Sequence, residues 1–311
     1  MKTGSIKQNR SILSYLGITV RGFCMGSADV VPGVSGGTMA FILGIYEELI
    51  KAIRSFDLTF FRLIFSFKIR AAADYAAWQF LLAVGLGILM AIFSLSKILS
   101  WLLQNRPVLI WSFFFGLIIA SIFTVSRRLG KWDLLMALWM LLGAIGAYFL
   151  VGMVPVTTPD APWFLFICGA IAICAMILPG ISGAFILVLM GKYHYVLEAV
   201  NNRDLFTLFI VATGAVLGLT TFARFLGWLF KNHHDMTIAI LCGLMIGSLR
   251  KVWPLKKTLQ SMTDANGNSI PVAQANILPS QWNNEVTIAL CLVIMGFLVV
   301  FFLNLWAEKK G

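Results

Sequence analysis

Apolar runs separated by short polar stretches dominate the 311-residue chain. Five of them approach or exceed the roughly 20 apolar residues that a membrane-spanning helix requires. These runs cover residues 78–99, 108–125, 134–151, 205–229 and 286–305. The pattern predicts an all-α polytopic membrane protein.

Two apolar stretches are interrupted by turns of the same type. Residues 31–37 read Val-Pro-Gly-Val-Ser-Gly-Gly, and residues 178–183 read Leu-Pro-Gly-Ile-Ser-Gly. The two turns align at an offset of 147 residues, and later segments match at an offset of 127, as Trp101 does with Trp228. Two matching blocks in the same order indicate that the chain consists of two homologous repeats.

Each repeat is predicted to be a re-entrant helical hairpin followed by three spans. Residues 162–178 extend only about 25 Å as a helix, short of the roughly 30 Å hydrocarbon core, so the turn falls at membrane depth. Interrupted backbone is tolerated there only where protein or a watery cavity surrounds it. A hairpin plus three spans crosses the membrane an odd number of times, so the repeats have inverted topologies. The predicted divisions are a cytoplasmic N-terminus 1–10, repeat one 11–152 (hairpin 11–53, connector 54–77, spans 78–152) and repeat two 162–306 (hairpin 162–200, spans 205–306, polar outer loop 251–284).

Two segments are predicted to lie outside the spans. Residues 54–75 mix aromatic and basic residues at near-helical spacing, which is typical of an amphipathic helix on the inner membrane surface. A plain loop with a short helix fits the same residues. Residues 261–281 are polar and predict an exposed outer loop.

Charge indicates a membrane protein with both termini in the cytoplasm. Charged residues make up 12% of the chain, against about 25% in soluble domains. In this topology the cytoplasmic segments hold 14 Lys and Arg residues and the outer segments six, as the positive-inside rule requires. The net charge of +11 therefore reports topology, and no nucleic-acid-binding motif accompanies it. The basic stretch 250–257 is the exception, which either attracts anionic headgroups or marks a different local topology.

The two turns are candidate anion-binding elements. Inverted repeats with broken helices are typical of secondary transporters, and helix N-termini present N–H groups and the positive end of the helix dipole. The predicted substrate-binding residues of the turns are Ser35, Gly36, Gly37, Thr38, Ser182 and Gly183. In the alternative interpretation, these small residues only permit close helix packing.

Two ionisable residues stand inside the first hairpin only. Arg21 and Asp29 have Cys168 and Met176 as their repeat equivalents. Because ionisable groups inside spans face a cavity or a partner, we expect Arg21 to contact a phosphate and Asp29 to couple transport to protons. Mutual neutralisation of the two charges is the alternative.

Further charged residues stand near the ends of predicted helices. Glu47 and Glu48 are candidates for coupling or gating, or are ordinary caps that face water, as are residues 192–194. Lys97 and Arg224 occupy equivalent positions near span ends. They either snorkel to the interface or make secondary contacts with the substrate.

The sequence contains no pattern of a catalytic, metal or cofactor site. His233-His234-Asp235 lacks further ligands nearby, so neither a metal nor a cofactor is predicted. The five cysteines stand in apolar segments without metal-ligand spacing.

Around the first turn, the chain resembles the bacterial polyprenyl-phosphate transporters, a family long catalogued as a membrane domain of unknown function. The resemblance rests on residues 29–38, Asp-Val-Val-Pro-Gly-Val-Ser-Gly-Gly-Thr, on their continuation into 44–47 and on the second turn, and it covers essentially the whole chain. It implies an ion- or proton-coupled flippase that moves undecaprenyl phosphate from the outer to the inner leaflet of the bacterial cytoplasmic membrane. The implied partners are this lipid and the surrounding membrane lipids. The resemblance leaves open whether the protein forms a homo-oligomer.

Two other functions also stay open at this point. Undecaprenyl-pyrophosphate phosphatases likewise resemble inverted-repeat membrane proteins and carry a Pro-Gly-x-Ser-Arg-Ser turn. Here Gly36 stands where that turn has its arginine, and no Glu-x-x-x-Glu pair accompanies it. A transporter of a small anion needs the same hairpins but no path for a lipid tail. We therefore expect a transporter rather than an enzyme.

Overall fold

The structure, a computed structural model, describes residues 10–31, 34–263, 269–279 and 281–308. The N-terminal residues 1–9, the turn residues Pro32 and Gly33 and the loop tip 264–268 lie outside the described residues. In chain order the elements are α1 (Ile12–Asp29), α2 (Gly36–Ile42), α3 (Tyr46–Arg54), α4 (Leu58–Phe65), α5 (Ile69–Tyr75), α6 (Trp78–Asn105), α7 (Pro107–Ser126), α8 (Leu134–Leu150), α9 (Pro162–Ile177), α10 (Gly183–Leu189), α11 (Tyr193–Asn201), α12 (Leu205–Asn232), α13 (His234–Val252), β1 (Lys256–Thr263), β2 (Ser269–Asn276) and α14 (Asn284–Glu308).

The helices begin and end at residues whose chemistry favours those boundaries. Aspartate side chains accept backbone N–H groups at the first turns of three helices, Asp57 at α4, Asp133 at α8 and Asp204 at α12. Gly44 and Gly191 follow α2 and α10 with φ angles of +72° and +65°, which glycine adopts without strain. Because each glycine ends its helix, the chain turns sharply into the next helix, by 109° between α10 and α11.

Four helices of the described chain are long and apolar enough to cross a membrane. They are α6, α7, α12 and the part of α14 that covers Asn284–Phe302. Two further apolar helices, α8 and α9, have 17 and 16 residues and are shorter. The chain is therefore a multi-pass membrane protein.

Helix boundaries recur at the two offsets read from the sequence. α2 and α10 begin and end 147 residues apart, as do α3 and α11, and α6 and α12 begin and end 127 residues apart. Close helix contacts recur in the same way. A methyl group on Gly87 of α6 would overlap the carbonyl oxygen of Thr19 in α1, and one on Gly214 of α12 would overlap that of Phe166 in α9. Equivalent residues thus make equivalent contacts in the two halves.

The two halves interlock through their later helices. α1 packs along α6 and α9 along α12, each pair within one half, whereas α7 packs along α14 and α8 along α13. Small residues allow the helices of different halves to approach closely. Gly116 of α7 lies against the backbone of Val293 in α14, and Gly243 of α13 lies against that of Met140 in α8. α7 also packs against α13, which joins the two crossed pairs.

An aromatic cluster fills the core beside the bend between α2 and α3. The ring centroid of Tyr46 lies 4.5 Å from that of Phe41 and 5.9 Å from that of Phe230. The Tyr46 hydroxyl is buried and has no hydrogen-bond partner among the described residues. Such a hydroxyl has lost its contacts with water without replacement, which costs about 1–3 kcal/mol.

We therefore expect Tyr46→Phe to stabilise the protein by about 1 kcal/mol, because the ring stays and the unpaired hydroxyl goes. The measurement is the melting temperature of the purified protein, which should rise. Tyr15→Phe is the matched control, because the Tyr15 hydroxyl donates to Gln79 at 2.9 Å and its loss should lower the melting temperature. A lower melting temperature for Tyr46→Phe contradicts the prediction.

The connector after the first hairpin contains two short helices rather than one amphipathic helix. Phe67 has a φ angle of +55°, which interrupts the helical path between α4 and α5. Asp57 holds the two together, because it caps α4 and also accepts the hydroxyl of Tyr75 at 2.8 Å. The connector exposes large apolar side chains, among them Leu58 and Phe65.

The segment predicted as a polar outer loop contains a β-hairpin. β1 and β2 pair antiparallel, from Lys256 opposite Asn276 to Thr263 opposite Ser269, so their backbone groups bond each other instead of water. The hairpin is anchored to the end of α13, where Trp253 donates to the carbonyl oxygen of Ile277 at 2.9 Å. The fold is thus mostly helical, in agreement with the predicted all-α polytopic membrane protein, and one β-hairpin is added to its helices.

Candidate functional site

The flanks of the two turns meet inside the protein. The Ser35 hydroxyl lies 3.1 Å from the carbonyl oxygen of Leu178 and 3.2 Å from that of Met176, and donates its single proton to this pair. The Thr38 hydroxyl accepts the N–H of Gly180 at 2.9 Å. Both hydroxyl-bearing residues are buried. Residues of the two turns and their flanks, more than 140 positions apart along the chain, are thus in direct contact.

Gly37 allows the backbones of the turns to approach. A methyl group on Gly37 would overlap the carbonyl oxygen of Ile177, the last residue of α9. On the other side of the contact, Gly180 has a φ angle of +86° and lies against Leu244 and Ser248 of α13. For Gly37, these contacts favour the close-packing interpretation over direct contact with an anion.

Asp29 occupies the position that the sequence analysis assigned to a bound anion at the first turn. Its Oδ1 accepts the N–H of Gly36 at 2.7 Å, at the start of α2. The next N–H groups bond to Ser35, that of Gly37 to the hydroxyl at 3.1 Å and that of Thr38 to the carbonyl oxygen at 3.0 Å. In this conformation the first N–H groups of α2 are therefore bonded within the protein, and the first turn offers no open cradle.

The second turn is more open than the first. Ser182 is half-buried, and its hydroxyl makes no hydrogen bond to a described residue. At the start of α10, the N–H of Gly183 likewise has no described partner, and Ser182 accepts the N–H of Ile186 through its carbonyl oxygen at 3.1 Å. The difference follows from the sequence, because Met176 stands where the first half has its carboxylate, Asp29.

Arg21 is half-buried in α1 and forms no hydrogen bond or ion pair with any described residue. Asp29 stands eight residues further along the same helix, about 12 Å along its axis, and bonds Gly36 instead. Mutual neutralisation of Arg21 and Asp29 therefore does not fit this structure. Arg21 stays available to an anionic ligand.

The candidate gating residues Glu47 and Glu48 form surface ion pairs. Glu48 lies 2.6 Å from Arg10, and Glu47 lies 3.7 Å from Lys51 and 3.6 Å from His234. Because these groups are partly exposed, each pair contributes at most about 1 kcal/mol. The contact between Glu47 and His234 links α3 to α13. No group of three or more His, Cys, Asp or Glu residues within the described ranges is arranged to hold a metal ion.

Lys97 and Arg224 lie exposed on the surfaces of α6 and α12. Neither forms a hydrogen bond or ion pair that joins it to another described side chain. Against the opposing effect of burial, hydrogen bonds at Asp57 in the connector lower the pKa of its carboxyl group, and the positive charge of Arg224 adds to this lowering. The exposure fits the snorkelling interpretation, and a secondary substrate contact stays a prediction.

Lys192 is buried. It is therefore not a cap that faces water, which was one of its two expected roles. Its ammonium group donates to the carbonyl oxygen of Thr158 at 2.8 Å and pairs with the carboxylate of Asp160. The same segment binds the bend after α10, since the N–H of Val156 donates to the carbonyl oxygen of Leu189 at 3.0 Å. Residues 153–161, between the two predicted repeats, are thus fastened to the bend between α10 and α11. No local pattern predicts this pairing, because its partners are 32 residues apart.

Fold and site define a multi-pass membrane protein in which two broken-helix turns are in contact. Residues 25–270 match the undecaprenyl phosphate translocase-like family. A polyprenyl-phosphate transporter of Vibrio cholerae is 41% identical over 303 residues, which cover 96% of this chain and 98% of the relative. A polyprenyl-phosphate transporter of Staphylococcus aureus is 31% identical over 253 residues, which cover 76% and 85%. No solved structure matches the chain.

The chain therefore belongs to the undecaprenyl phosphate translocase-like family. The resemblance read from the first turn is confirmed, and the protein is a transporter rather than an enzyme.

Proposed function

We propose that this protein is a flippase that returns undecaprenyl phosphate from the outer to the inner leaflet of the bacterial cytoplasmic membrane. The observation that carries the proposal is the near full-length similarity to a polyprenyl-phosphate transporter, at 41% identity. The unpaired Arg21 and the open second turn support it, since both suit an anionic group.

The substrate explains why a protein is needed. A phosphate monoester carries about −1.5 to −2 charges at neutral pH, and an isolated charge does not enter hydrocarbon unaided. The transporter must offer the headgroup a polar site and leave the tail in contact with lipid. Arg21 and the hydroxyl of Ser182, which have no partner among the described residues, are the proposed headgroup ligands in this conformation. The hydroxyls of Ser35 and Thr38 are proposed to join them in a conformation in which the two turns are apart. The apolar surfaces of the spanning helices suit the tail.

Inverted repeats supply the proposed means of exposing this site to each leaflet in turn. The shared helix boundaries and the shared glycine contacts of the two halves support the repeat. The excess of Lys and Arg on the predicted inner side supports cytoplasmic N- and C-termini. A homo-oligomer is compatible with the proposal and is not required by it.

Asp29 is the proposed coupling group, together with Glu47 and Glu48 as alternatives. Its carboxylate holds the N–H of Gly36, which a phosphate at the first turn also needs. A neutral carboxyl group is a weaker acceptor than a carboxylate, so protonation of Asp29 frees this N–H group. Proton binding and phosphate binding would then favour one another.

We expect Asp29→Asn to make transport insensitive to a proton gradient. Asparagine retains an acceptor oxygen for Gly36 and caps helices about as well as aspartate, so the fold should persist. The measurement compares transport into proteoliposomes with and without an imposed pH gradient. A response like that of the wild type would remove Asp29 from coupling and leave Glu47 or Glu48.

Leaflet-resolved movement of a polyprenyl phosphate in proteoliposomes tests the proposed function directly. We expect purified protein to accelerate it, and not to accelerate movement of the corresponding polyprenol. No acceleration, with or without an ion gradient, contradicts the proposal. Uptake of a tail-free phosphate at the same rate favours the small-anion transporter, and phosphate release from the pyrophosphate lipid would bring back the phosphatase.

A further inference from the structure

Two lysines lie close together beside the second turn, each over an aromatic ring. The ammonium nitrogen of Lys251, at the end of α13, lies 4.6 Å from the ring centroid of Phe185 in α10. That of Lys256, in β1, lies 4.7 Å from the ring centroid of Trp111 in α7 and donates to the carbonyl oxygen of Lys251. Among the described residues, no carboxylate forms an ion pair with either lysine.

This arrangement is unfavourable for two cations unless an anion joins them. Both side chains are only partly exposed, and a charge removed from water without an opposite charge beside it lowers stability. Burial, and after it the charge of Lys251, lower the pKa of Lys256 to about 8. A phosphomonoester offers up to two negative charges and three acceptor oxygens, enough to serve both ammonium groups.

The pair is adjacent to the second turn. Gly180 of that turn lies against Ser248, which stands one helical turn before Lys251 on α13. Phe185, under the ammonium group of Lys251, is three residues after Ser182, whose hydroxyl has no partner among the described residues. An anion bound by the lysines is therefore next to a candidate ligand of the transport site.

The pair also belongs to one half of the protein only. At the offset of 127, Lys251 and Lys256 correspond to Thr124 and Leu129, which carry no charge. A pair of residues needed only for the folding of the repeat would be expected in both halves. The lysines fall in the basic stretch on the predicted outer side, where the lipid enters in the proposed direction.

We propose that Lys251 and Lys256 form an entry site that binds the phosphomonoester headgroup of the lipid before it reaches the second turn. This proposal rests on the proposed function for its direction. Both ammonium groups donate to phosphate oxygens, and Phe185 and Trp111 hold the lysine side chains in place.

Equilibrium binding to the full-length protein in lipid nanodiscs tests the site. The probes are farnesyl phosphate, farnesol and inorganic phosphate. We expect Lys251→Gln and Lys256→Gln each to weaken farnesyl phosphate binding by about tenfold or more, the effect of one charge-assisted hydrogen bond. Lys257→Gln removes the same charge from the exposed next position of β1, and should change the affinity less than about twofold.

Two further measurements separate binding from structure. Lys251→Arg and Lys256→Arg should restore most of the affinity, and neither glutamine variant should melt at a lower temperature than the wild type. Wild-type affinity should fall as the pH rises from 7 to 9, because Lys256 loses its charge above a pKa of about 8 while the phosphate stays a dianion. Lys251 of α13 is the charged group that faces Lys256, and α7 contributes the uncharged Trp111. The pH dependence should be absent from Lys256→Gln.

Equal farnesyl phosphate affinities in the Lys251, Lys256 and Lys257 glutamine variants overturn the entry site. Inorganic phosphate that binds as tightly as farnesyl phosphate overturns its assignment to a lipid headgroup, as does farnesol that binds equally well. Wild-type lipid transport with equal affinities in all variants contradicts the entry site alone. Absence of wild-type lipid transport contradicts the proposed function, whatever the lysine variants bind.

Discussion

Replacing Gly37 with alanine is expected to abolish transport and to lower the stability of the protein by about 3–5 kcal/mol. The added methyl group would overlap the carbonyl oxygen of Ile177, which belongs to the backbone and cannot rotate away. Overpacking of this kind costs about 1–3 kcal/mol. Separation of the turns also breaks the bonds from Ser35 to Leu178 and from Gly180 to Thr38, at about 1 kcal/mol each.

The melting temperature and the transport rate of Gly37→Ala measure the two effects. Gly17→Ala is the matched control, because a methyl group on Gly17 of α1 meets nothing within 4 Å. Alanine inside a helix is favoured over glycine by about 1 kcal/mol, so this control should be slightly more stable and fully active. If the two variants behave alike, the contact between the turns has no part in transport.

The second large effect is expected at Arg21. Arg21→Gln should lower lipid-phosphate transport at least about tenfold, because a guanidinium–phosphate hydrogen bond contributes about 1.5–3 kcal/mol. The melting temperature should stay the same, since Arg21 forms no ion pair or hydrogen bond with a described residue. Transport in proteoliposomes and thermal unfolding in detergent are the measurements.

Arg62→Gln provides the control for Arg21. Arg62 is exposed on α4 in the connector, so its replacement removes the same charge away from the turns. We expect normal transport in this variant. Unchanged transport in Arg21→Gln would remove Arg21 from the headgroup site, and a large loss of stability would show that its role is structural.

The breaks in the helices are predictable from sequence because the residues that cause them are local. Gly44 and Gly191 need no information beyond their own backbone conformations to end α2 and α10. The repeat is readable for the same reason, since equivalent residues recur at fixed offsets. The family resemblance at the first turn rests on one continuous stretch and is likewise readable.

The contacts that assemble the site are not local, so the bonded atoms cannot be read from the sequence. Ser35 bonds to Leu178 across 143 positions, so the sequence indicates two similar turns but not which atoms they share. The carboxylate of Asp29 reaches the start of α2 only because α1 and α2 fold back on one another. The β-hairpin was missed because its strands carry no regular alternation of apolar and polar residues that would distinguish them from a loop.

The interlocking of the halves sets the order in which the protein can be completed during biosynthesis. Translation proceeds from the N-terminus, so α7 and α8 leave the ribosome before their partners α14 and α13 exist. The glycine surface of α7 around Gly116 faces lipid or other helices until the last helix of the chain arrives. A nascent chain that stops short of α14 therefore contains no finished half, and the two halves are completed together once α14 has been made.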